Sequence, residues 1–287
     1  MSAAARLIAF QGGLGANSHL ACREARPELD VLPCPTFEDA IAAVRDGRAA
    51  LGMLPIENTV AGRVADIHHL LPTAGLHIVG EHYLRVRHHL LARKGAKLAE
   101  LHEVHSHVHA LGQCRRFIRA HDLAPRDGGD TAGAAAWLAE QARDDVGAIA
   151  SSLAAEIYGL DILAADIEDA EHNTTRFLLV ANEADRPSPD PGRIITSFLF
   201  TVRNIPAALY KAMGGFATNG VNMVKLESYV DYEFVQAQFL ADVVGHPDEP
   251  ALEEALRELR FFCESFQLLG VYPASPWRQG ANAVGGR

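Results

Sequence analysis

The sequence predicts a mixed α/β fold in two parts, an N-terminal region of alternating strands and helices and a C-terminal ferredoxin-like unit. Short apolar runs alternate with helical patterns from residue 7 to residue 181. A segment rich in proline and acidic residues follows, and a new set of four strands and two helices begins after it. We therefore predict a first domain at 5–181, a linker at 182–193, a second domain at 194–273 and a tail at 274–287.

Composition excludes several classes of protein. The chain has 287 residues and a formal net charge of -10, without a basic stripe, which argues against a nucleic-acid partner. Its four cysteines are scattered and form no CxxC pair, so neither a disulfide framework nor a zinc knuckle is expected. The first ten residues hold too short an apolar run for a signal peptide, and no stretch reaches the length of a membrane span. We expect a cytoplasmic protein.

The elements of the first region follow from apolar runs, turn residues and helix caps. Predicted strands lie at 7–10, 31–34, 50–54, 77–91, 146–150 and 177–181. Predicted helices begin at Asn17 or Ser18 and lie at 37–46, 64–71, 109–120, 131–140 and 151–158.

In the second region, strands are predicted at 194–202, 222–230, 234–243 and 266–272, and helices at 206–218 and 248–262. Their order is βαββαβ, which is typical of the ferredoxin-like arrangement.

Two loops that follow strands carry candidate binding groups. After the first strand, Gln11 and three glycines lead into a helix, and the free amide groups of such a turn attract anions. Glu57 and Asn58 follow the strand at 50–54, where ligands of open α/β sheets lie. Taken alone, each segment is more simply interpreted as an ordinary turn.

Four histidines between residues 102 and 109 suggest a metal site at first sight. No cysteine or carboxylate completes a familiar ligand set, and alternate residues of a strand face opposite ways. We predict structural or surface histidines and no metal.

The stretch Glu171–Ala181, EHNTTRFLLVA, combines polar groups with an apolar strand. Thr174 and Thr175 can donate and accept hydrogen bonds, and the planar fork of Arg176 can bind a carboxylate. These residues form either an anion site or a solvated strand end.

A series of motifs, taken in order, resembles the prephenate dehydratase family. The motifs are IAFQGGLGANSHLA, LPIENTVAGRVADIHHLL, IVGEHYLRVRHHLLA, VHSHVHALGQC, GAIASSLAAEIYGLDIL and NTTRF. The later segment VRNIPAALYKAMGGFATNGVNMVKLES resembles the ACT regulatory domain. The resemblance implies a two-lobed catalytic domain like type II periplasmic binding proteins, followed by an ACT domain. It implies conversion of prephenate to phenylpyruvate with loss of water and carbon dioxide, without cofactor or metal.

The same resemblance assigns residues to the site. It implies that Thr175 is the essential hydroxyl and that Glu57 and Asn58 are a catalytic pair. Further substrate-binding positions are Ser18, Ser106, Gln113, Arg176 and Phe177, and Asp130 lies where relatives can carry a functional glutamate. We expect Thr175 to assist the departing hydroxyl group, with Glu57 as the alternative proton donor.

The ACT resemblance implies feedback by L-phenylalanine bound between subunits, and therefore a homodimer or homotetramer. The matching effector positions are Ala207, Ala208, Leu209, Asn222, Met223, Leu226, Glu227 and Ser228. Ala207 replaces a glycine that is usual at its position.

Two other functions fit parts of this pattern. An arogenate dehydratase uses the same scaffold on the aminated substrate, and these residues do not separate it from a prephenate dehydratase. A non-catalytic amino-acid sensor is a third possibility, but such a sensor would not need the Thr-Arg-Phe and Glu-Asn pieces together.

Overall fold

The computed structural model describes residues 6–230 and 237–278. The predicted start of a strand at 234, the first residue of the predicted first domain and most of the predicted tail lie outside this part. The polypeptide forms two compact units. One unit contains the described residues up to Leu70 together with His82–Leu178, and the other contains Leu71–Glu81 together with the described residues from Leu179 onward.

The first unit contains most of two sheets, each the centre of one lobe, and residues 77–81 and 179–181 of the first sheet belong to the other unit. The sheet of the first lobe has the strand order β2-β1-β3-β11-β5, with β4 paired to β3. Its strands are β1 (Leu7–Gln11), β2 (Asp30–Cys34), β3 (Leu51–Asn58), β4 (Gly62–Arg63), β5 (His77–Arg85) and β11 (Thr174–Ala181). Its helices are α1 (Asn17–Ala25), α2 (Phe37–Arg45) and α3 (Ala65–Leu70).

The sheet of the second lobe has the order β10-β6-β9-β7-β8. Its strands are β6 (His89–Ala92), β7 (Glu103–Ser106), β8 (Ala124–Asp127), β9 (Val146–Ala150) and β10 (Asp161–Ala164). Its helices are α4 (Val108–Gln113), α5 (Arg115–Ala120), α6 (Thr131–Glu140) and α7 (Ser152–Tyr158).

Alanine-rich helices pack closely on the second sheet. Ala134, Ala135 and Ala154 lie in one buried cluster with the strand residues Leu91 and Ala148. Small side chains on α6 and α7 let the helix backbones pack close to the sheet.

Two predicted elements of this unit are divided in the structure. The strand predicted at 77–91 is β5 and β6, which belong to different sheets, so the residues between them cross from one lobe to the other. The helix predicted at 109–120 is α4 and α5, which meet at Cys114, where φ is -121°. The Asp169 carboxylate accepts a hydrogen bond from the amide of Arg116 and so supports a new helix start there.

The second unit contains the predicted ferredoxin-like order of elements, which the structure confirms. They are β12 (Ile194–Val202), α8 (Ala208–Thr218), β13 (Met223–Val230), β14 (Ala237–Val244), α9 (Pro250–Phe262) and β15 (Cys263–Pro273). The sheet has the antiparallel order β13-β14-β12-β15, and a phenylalanine-rich core lies between it and the two helices. The mixed α/β class is therefore confirmed. The predicted domain boundaries and the likeness to type II periplasmic binding proteins stay predictions.

Within residues 6–230 and 237–278, no helix combines the length and the apolar character needed to cross a lipid bilayer.

Candidate active site

A cavity of about 290 Å³ lies among residues of both lobes of the first unit. The first lobe contributes the turn after β1, the start of α1, the end of β3 and the start of β11, and the second lobe contributes α4 and the start of α6. Two residues of the crossing between β5 and β6 and two residues that flank β4 also line the cavity. The lining residues are Gln11, Gly12, Ala16, Asn17, Ser18, Pro55, Asn58, Ala61, Val64, Val86, His88, His107, His109, Ala110, Gln113, Asp130, Thr131, Thr175 and Phe177.

Thr175 and Asn58 are in direct contact at the wall of the cavity. Asn58 Nδ2 donates to Thr175 Oγ1 at 2.9 Å. The two residues are 117 positions apart in the chain, and they meet because β11 lies beside β3 in the sheet. Thr175 is 9% exposed, so its hydroxyl is almost shielded from bulk water.

Asn58 also begins a hydrogen-bonded chain across the cavity wall, here called the amide chain, of Asn58, Asn173, Gln113 and His88. Asn58 Nδ2 lies 2.8 Å from Asn173 Oδ1, and Asn173 Nδ2 lies 2.9 Å from Gln113 Oε1. His88 Nε2 lies 2.8 Å from the same Gln113 oxygen. The amide chain therefore joins the β3–β11 corner of the first lobe to α4 of the second.

Glu57 and Arg176 form a separate pair. Arg176 Nη1 lies 3.1 Å from Glu57 Oε1, and the guanidinium is buried. Neither residue lines the cavity, whereas their neighbours Asn58, Thr175 and Phe177 do. Successive side chains of a strand point to opposite faces, which explains the separation. The structure thus differs from our expectation of one site containing both motifs in full.

Some of the remaining predicted positions line the cavity and one does not. Ser18 and Phe177 line the cavity, as does Asp130, whose carboxylate caps α6 by accepting from the amide of Gly133 at 2.6 Å. Ser106 does not line it. That side chain is fully buried, and its hydroxyl donates to the carbonyl of Ile149 at 2.6 Å, which holds β7 against β9.

The glycine-rich turn after β1 needs glycine for two physical reasons. Gly12 and Gly15 have φ values of +116° and +89°, a region that disfavours residues with a Cβ atom. A Cβ atom at Gly15 would also lie 2.8 Å from Cα of Ala154. The turn leads into α1, where Ala16 offers no side-chain oxygen as a cap. The first amide groups of α1 can therefore bind an anion in the cavity.

Several polar residues of the site were not predicted from the sequence, among them His88, His107, His109 and Asn173. His107 and His109 lie in the stretch predicted to hold structural or surface histidines, and both line the cavity. Burial lowers the pKa of His88, although the hydrogen bond to Gln113 and the charge of Glu168 act in the opposite direction. The ring is therefore neutral at pH 7.

The predicted effector positions lie in the second unit, around the start of α8 and along β13. Ala207 precedes α8 with φ of +60°, in the left-handed region. On β13, Met223 packs against the unit's core, whereas Leu226 is 42% exposed. The Glu227 carboxylate lies 3.8 Å from Lys225 Nζ.

Comparison with known proteins agrees with this architecture. Residues 8–185 match the family model of prephenate dehydratase. A bifunctional N-acyl-homoserine lactone acylase/prephenate dehydratase from Komagataeibacter europaeus is 55% identical, over 96% of this chain and 98% of the relative. Arogenate dehydratase 2 from Petunia hybrida is 36% identical, over 93% of this chain and 71% of its own length.

Two solved structures resemble the whole chain. GqqA, described as a novel type of quorum quenching acylase, is 55% identical with a TM-score of 0.90, over 95% of this chain and 100% of its own. A prephenate dehydratase from Arthrobacter aurescens, solved in complex with L-Phe, is 28% identical with a TM-score of 0.85, over 97% and 98% of the two chains. The chain therefore belongs to the prephenate dehydratase family, a family of lyases.

Proposed function

We propose that the protein converts prephenate to phenylpyruvate in phenylalanine biosynthesis. The observation that carries the proposal is the contact between Asn58 and Thr175 at the wall of the cavity. The Thr175 oxygen accepts a hydrogen bond from Asn58, so the hydrogen of the Thr175 hydroxyl is available to the oxygen that leaves the ring.

The substrate is a dianion that loses one carboxylate as carbon dioxide and its ring hydroxyl as hydroxide, which a proton converts to water. The electron pair of the broken carbon–carbon bond enters the ring and completes the aromatic system. Thr175 stabilises the negative charge that develops on the leaving oxygen. The open amide groups at the start of α1 and the nearby Ser18 would hold a carboxylate, and Phe177 forms an apolar wall for the ring.

Glu57 is the alternative proton donor. Its carboxylate pairs with Arg176 and does not line the cavity, which favours Thr175 as the group in contact with the substrate. Arg176 would then act through Glu57 and the local fold.

The direct test is to incubate the purified protein with prephenate, without added cofactor, and to follow phenylpyruvate by its absorbance in alkali. We expect turnover that depends on enzyme concentration. Absence of phenylpyruvate above the uncatalysed rate would refute the proposal.

Arogenate is a second candidate substrate, because several relatives at 36–38% identity carry the name arogenate dehydratase. Parallel assays of phenylpyruvate from prephenate and phenylalanine from arogenate, at equal substrate concentrations, give the ratio of kcat/KM. We expect the ratio to favour prephenate, because the relative at 55% identity is named a prephenate dehydratase and not an arogenate dehydratase.

A second candidate activity is hydrolysis of N-acyl-homoserine lactones. It is favoured by 55% identity, over nearly the full length of both chains, to a relative named as both acylase and prephenate dehydratase. Mass spectrometry of the reaction with acyl-homoserine lactones of several chain lengths would detect free homoserine lactone. The same assay with prephenate present tells whether the two substrates compete for one cavity.

We also propose that residues 194–273 are an ACT domain that binds L-phenylalanine and that residues 5–181 are the catalytic domain. The βαββαβ order of the second unit and a relative solved with L-Phe support this assignment. A homodimer or homotetramer would follow if the ligand binds between subunits at the predicted positions.

Regulation can be tested with the intact protein. A ligand that binds the folded state stabilises it and raises the midpoint of thermal unfolding. The stabilisation is about 2.7 kcal/mol when the ligand concentration is a hundred times the dissociation constant. We expect millimolar L-phenylalanine to raise this midpoint and to lower phenylpyruvate formation. D-phenylalanine is the matched control, and light scattering on the same samples gives the number of subunits.

A further inference from the structure

The direction of each hydrogen bond in the amide chain can be read from the backbone outward. The amide groups of Val60 and Ala61 donate to Asn58 Oδ1 at 2.9 Å and 2.7 Å. A backbone N–H can only donate, so the side-chain oxygen must lie on that side. Both hydrogens of Asn58 Nδ2 are then directed to Asn173 and Thr175. Asn58 has no hydrogen left for a substrate.

The donors and acceptors at the other end of the amide chain follow in the same way. Because Asn173 Oδ1 accepts from Asn58, its Nδ2 must donate to Gln113 Oε1. That oxygen also accepts from His88 Nε2, so the neutral ring carries its hydrogen on Nε2. His88 Nδ1 is buried and has no hydrogen-bond partner within residues 6–230 and 237–278, in agreement with a bare lone pair.

At the cavity, these hydrogen-bond directions leave Thr175 and Gln113 with free hydrogen-bond donors. Thr175 accepts from Asn58 and keeps its own hydrogen, and Gln113 keeps both hydrogens of Nε2. Both residues line the cavity. A dianionic substrate offers mainly oxygen acceptors, so this arrangement matches its chemistry.

We propose that Asn58, Asn173 and His88 are positioning residues that hold the amide chain in one direction, so that Thr175 and Gln113 both present donors to an anionic substrate. The inference rests on the proposed dehydratase function and adds a role for three residues that act through Thr175 and Gln113. It assigns Thr175 to the leaving hydroxyl and Gln113 to a carboxylate.

Reversal of the amide chain by isosteric substitution tests the proposal. In Asn58→Asp the carboxylate can only accept hydrogen bonds, so the Thr175 hydroxyl turns to donate to it. The side-chain amides of Asn173 and Gln113 then each rotate by half a turn. His88 then moves its hydrogen to Nδ1. We expect kcat to fall by on the order of 10²–10⁴-fold, the cost of losing a donor to the leaving group.

Asn173→Asp reverses only the half of the amide chain that contains Gln113 and His88. Because Asn58 can still donate to Thr175, we expect kcat to stay within a few-fold of wild type while KM rises. A carboxylate could also act by simple charge repulsion. Gln11→Glu is the matched control, since Gln11 lines the same cavity and does not contact the amide chain.

The tautomer of His88 gives a readout that does not depend on activity. In ¹⁵N-histidine-labelled protein at pH 8, nitrogen–proton correlation spectra show which ring nitrogen carries hydrogen, and His88→Gln identifies the signal. We expect Nε2–H in wild type and in Gln11→Glu, and Nδ1–H in both aspartate variants. If Asn58→Asp does not fold, Asn173→Asp supplies the same test.

The outcomes separate the two hypotheses. Wild type with its hydrogen on Nδ1, or an aspartate variant that retains Nε2–H, overturns the amide-chain inference even when the enzyme makes phenylpyruvate. A wild type that makes no phenylpyruvate overturns the proposed function, and the spectra still decide the direction of the amide chain.

Discussion

At the scale of single residues, the hydroxyl of Thr175 is the group whose removal should matter most. Thr175→Val keeps the shape of the side chain and removes the hydrogen that faces the cavity, so we expect kcat to fall about 10²–10⁴-fold with a much smaller change in KM. Thr175→Ser keeps the hydroxyl and should retain most of the activity. Steady-state kinetics on both variants measure the difference.

Equal kcat values for the valine and serine variants would remove Thr175 from the chemical step. Thermal unfolding of both proteins is the control for folding, because Asn58 loses one hydrogen-bond acceptor in the valine variant. Asn58 is only partly buried and lines the cavity, so its unpaired donor should cost no more than about 1–3 kcal/mol, which shifts the midpoint without abolishing the fold.

Part of the site could be predicted from the sequence and part could not. Motifs placed Thr175, Asn58 and Gln113 together, and strand alternation alone could have separated Arg176 from Thr175 and Phe177. Asn173 and His88 lie in two of the motifs that carry the family resemblance, but nothing in those motifs indicates that the two side chains belong to one hydrogen-bonded chain. Their partners lie 60 and 25 positions away in the chain, so only the packing of the two lobes brings the amide chain together.

At the scale of elements, the break between β5 and β6 shows a limit of periodicity. Both halves are apolar strand patterns, so the sequence predicts one strand from 77 to 91. Long-range pairing decides the outcome, because β5 belongs to the first sheet and β6 pairs with β9 and β10. The crossing places Val86 and His88 at the cavity wall.

The start of α8 offers a prediction about backbone strain. Ala207 has φ of +60°, a conformation that costs a residue with a Cβ atom roughly 1–2 kcal/mol and costs glycine nothing comparable. Ala207→Gly should therefore stabilise the protein by about 0.5–1 kcal/mol, after the added entropy of the unfolded chain is subtracted. Chemical denaturation followed by fluorescence measures the change.

The matched control is Ala217→Gly, an exposed position within the right-handed turns of the same helix. Glycine there lowers helix propensity and should destabilise, by up to about 1 kcal/mol. Opposite signs at the two positions would establish the strained start of α8. A loss of stability at both would show that the left-handed geometry costs less than the added entropy of the unfolded chain.

At the scale of the whole molecule, buried histidines should link stability to pH. His19, His88 and His89 are each at most 7% exposed, and burial is the largest cause of the lowered pKa of each ring. Asp166 and Glu168 act in the opposite direction at His89 without overcoming its burial. Folding therefore keeps three rings neutral that the unfolded chain can protonate.

The sign of the effect follows from proton binding. Below about pH 6.5, the ordinary value for histidine, the unfolded state binds protons that the folded state does not, so the free energy of unfolding decreases as pH falls. Above that pH both states are neutral and this contribution is constant. Calorimetry from pH 8.0 to pH 5.5 should show a plateau down to about pH 7 and then a fall in Tm. His88→Gln removes one of the three titrating rings, so its Tm should decline less steeply over the same range. A midpoint that holds steady or rises toward pH 5.5 would show that burial of these rings does not govern stability there.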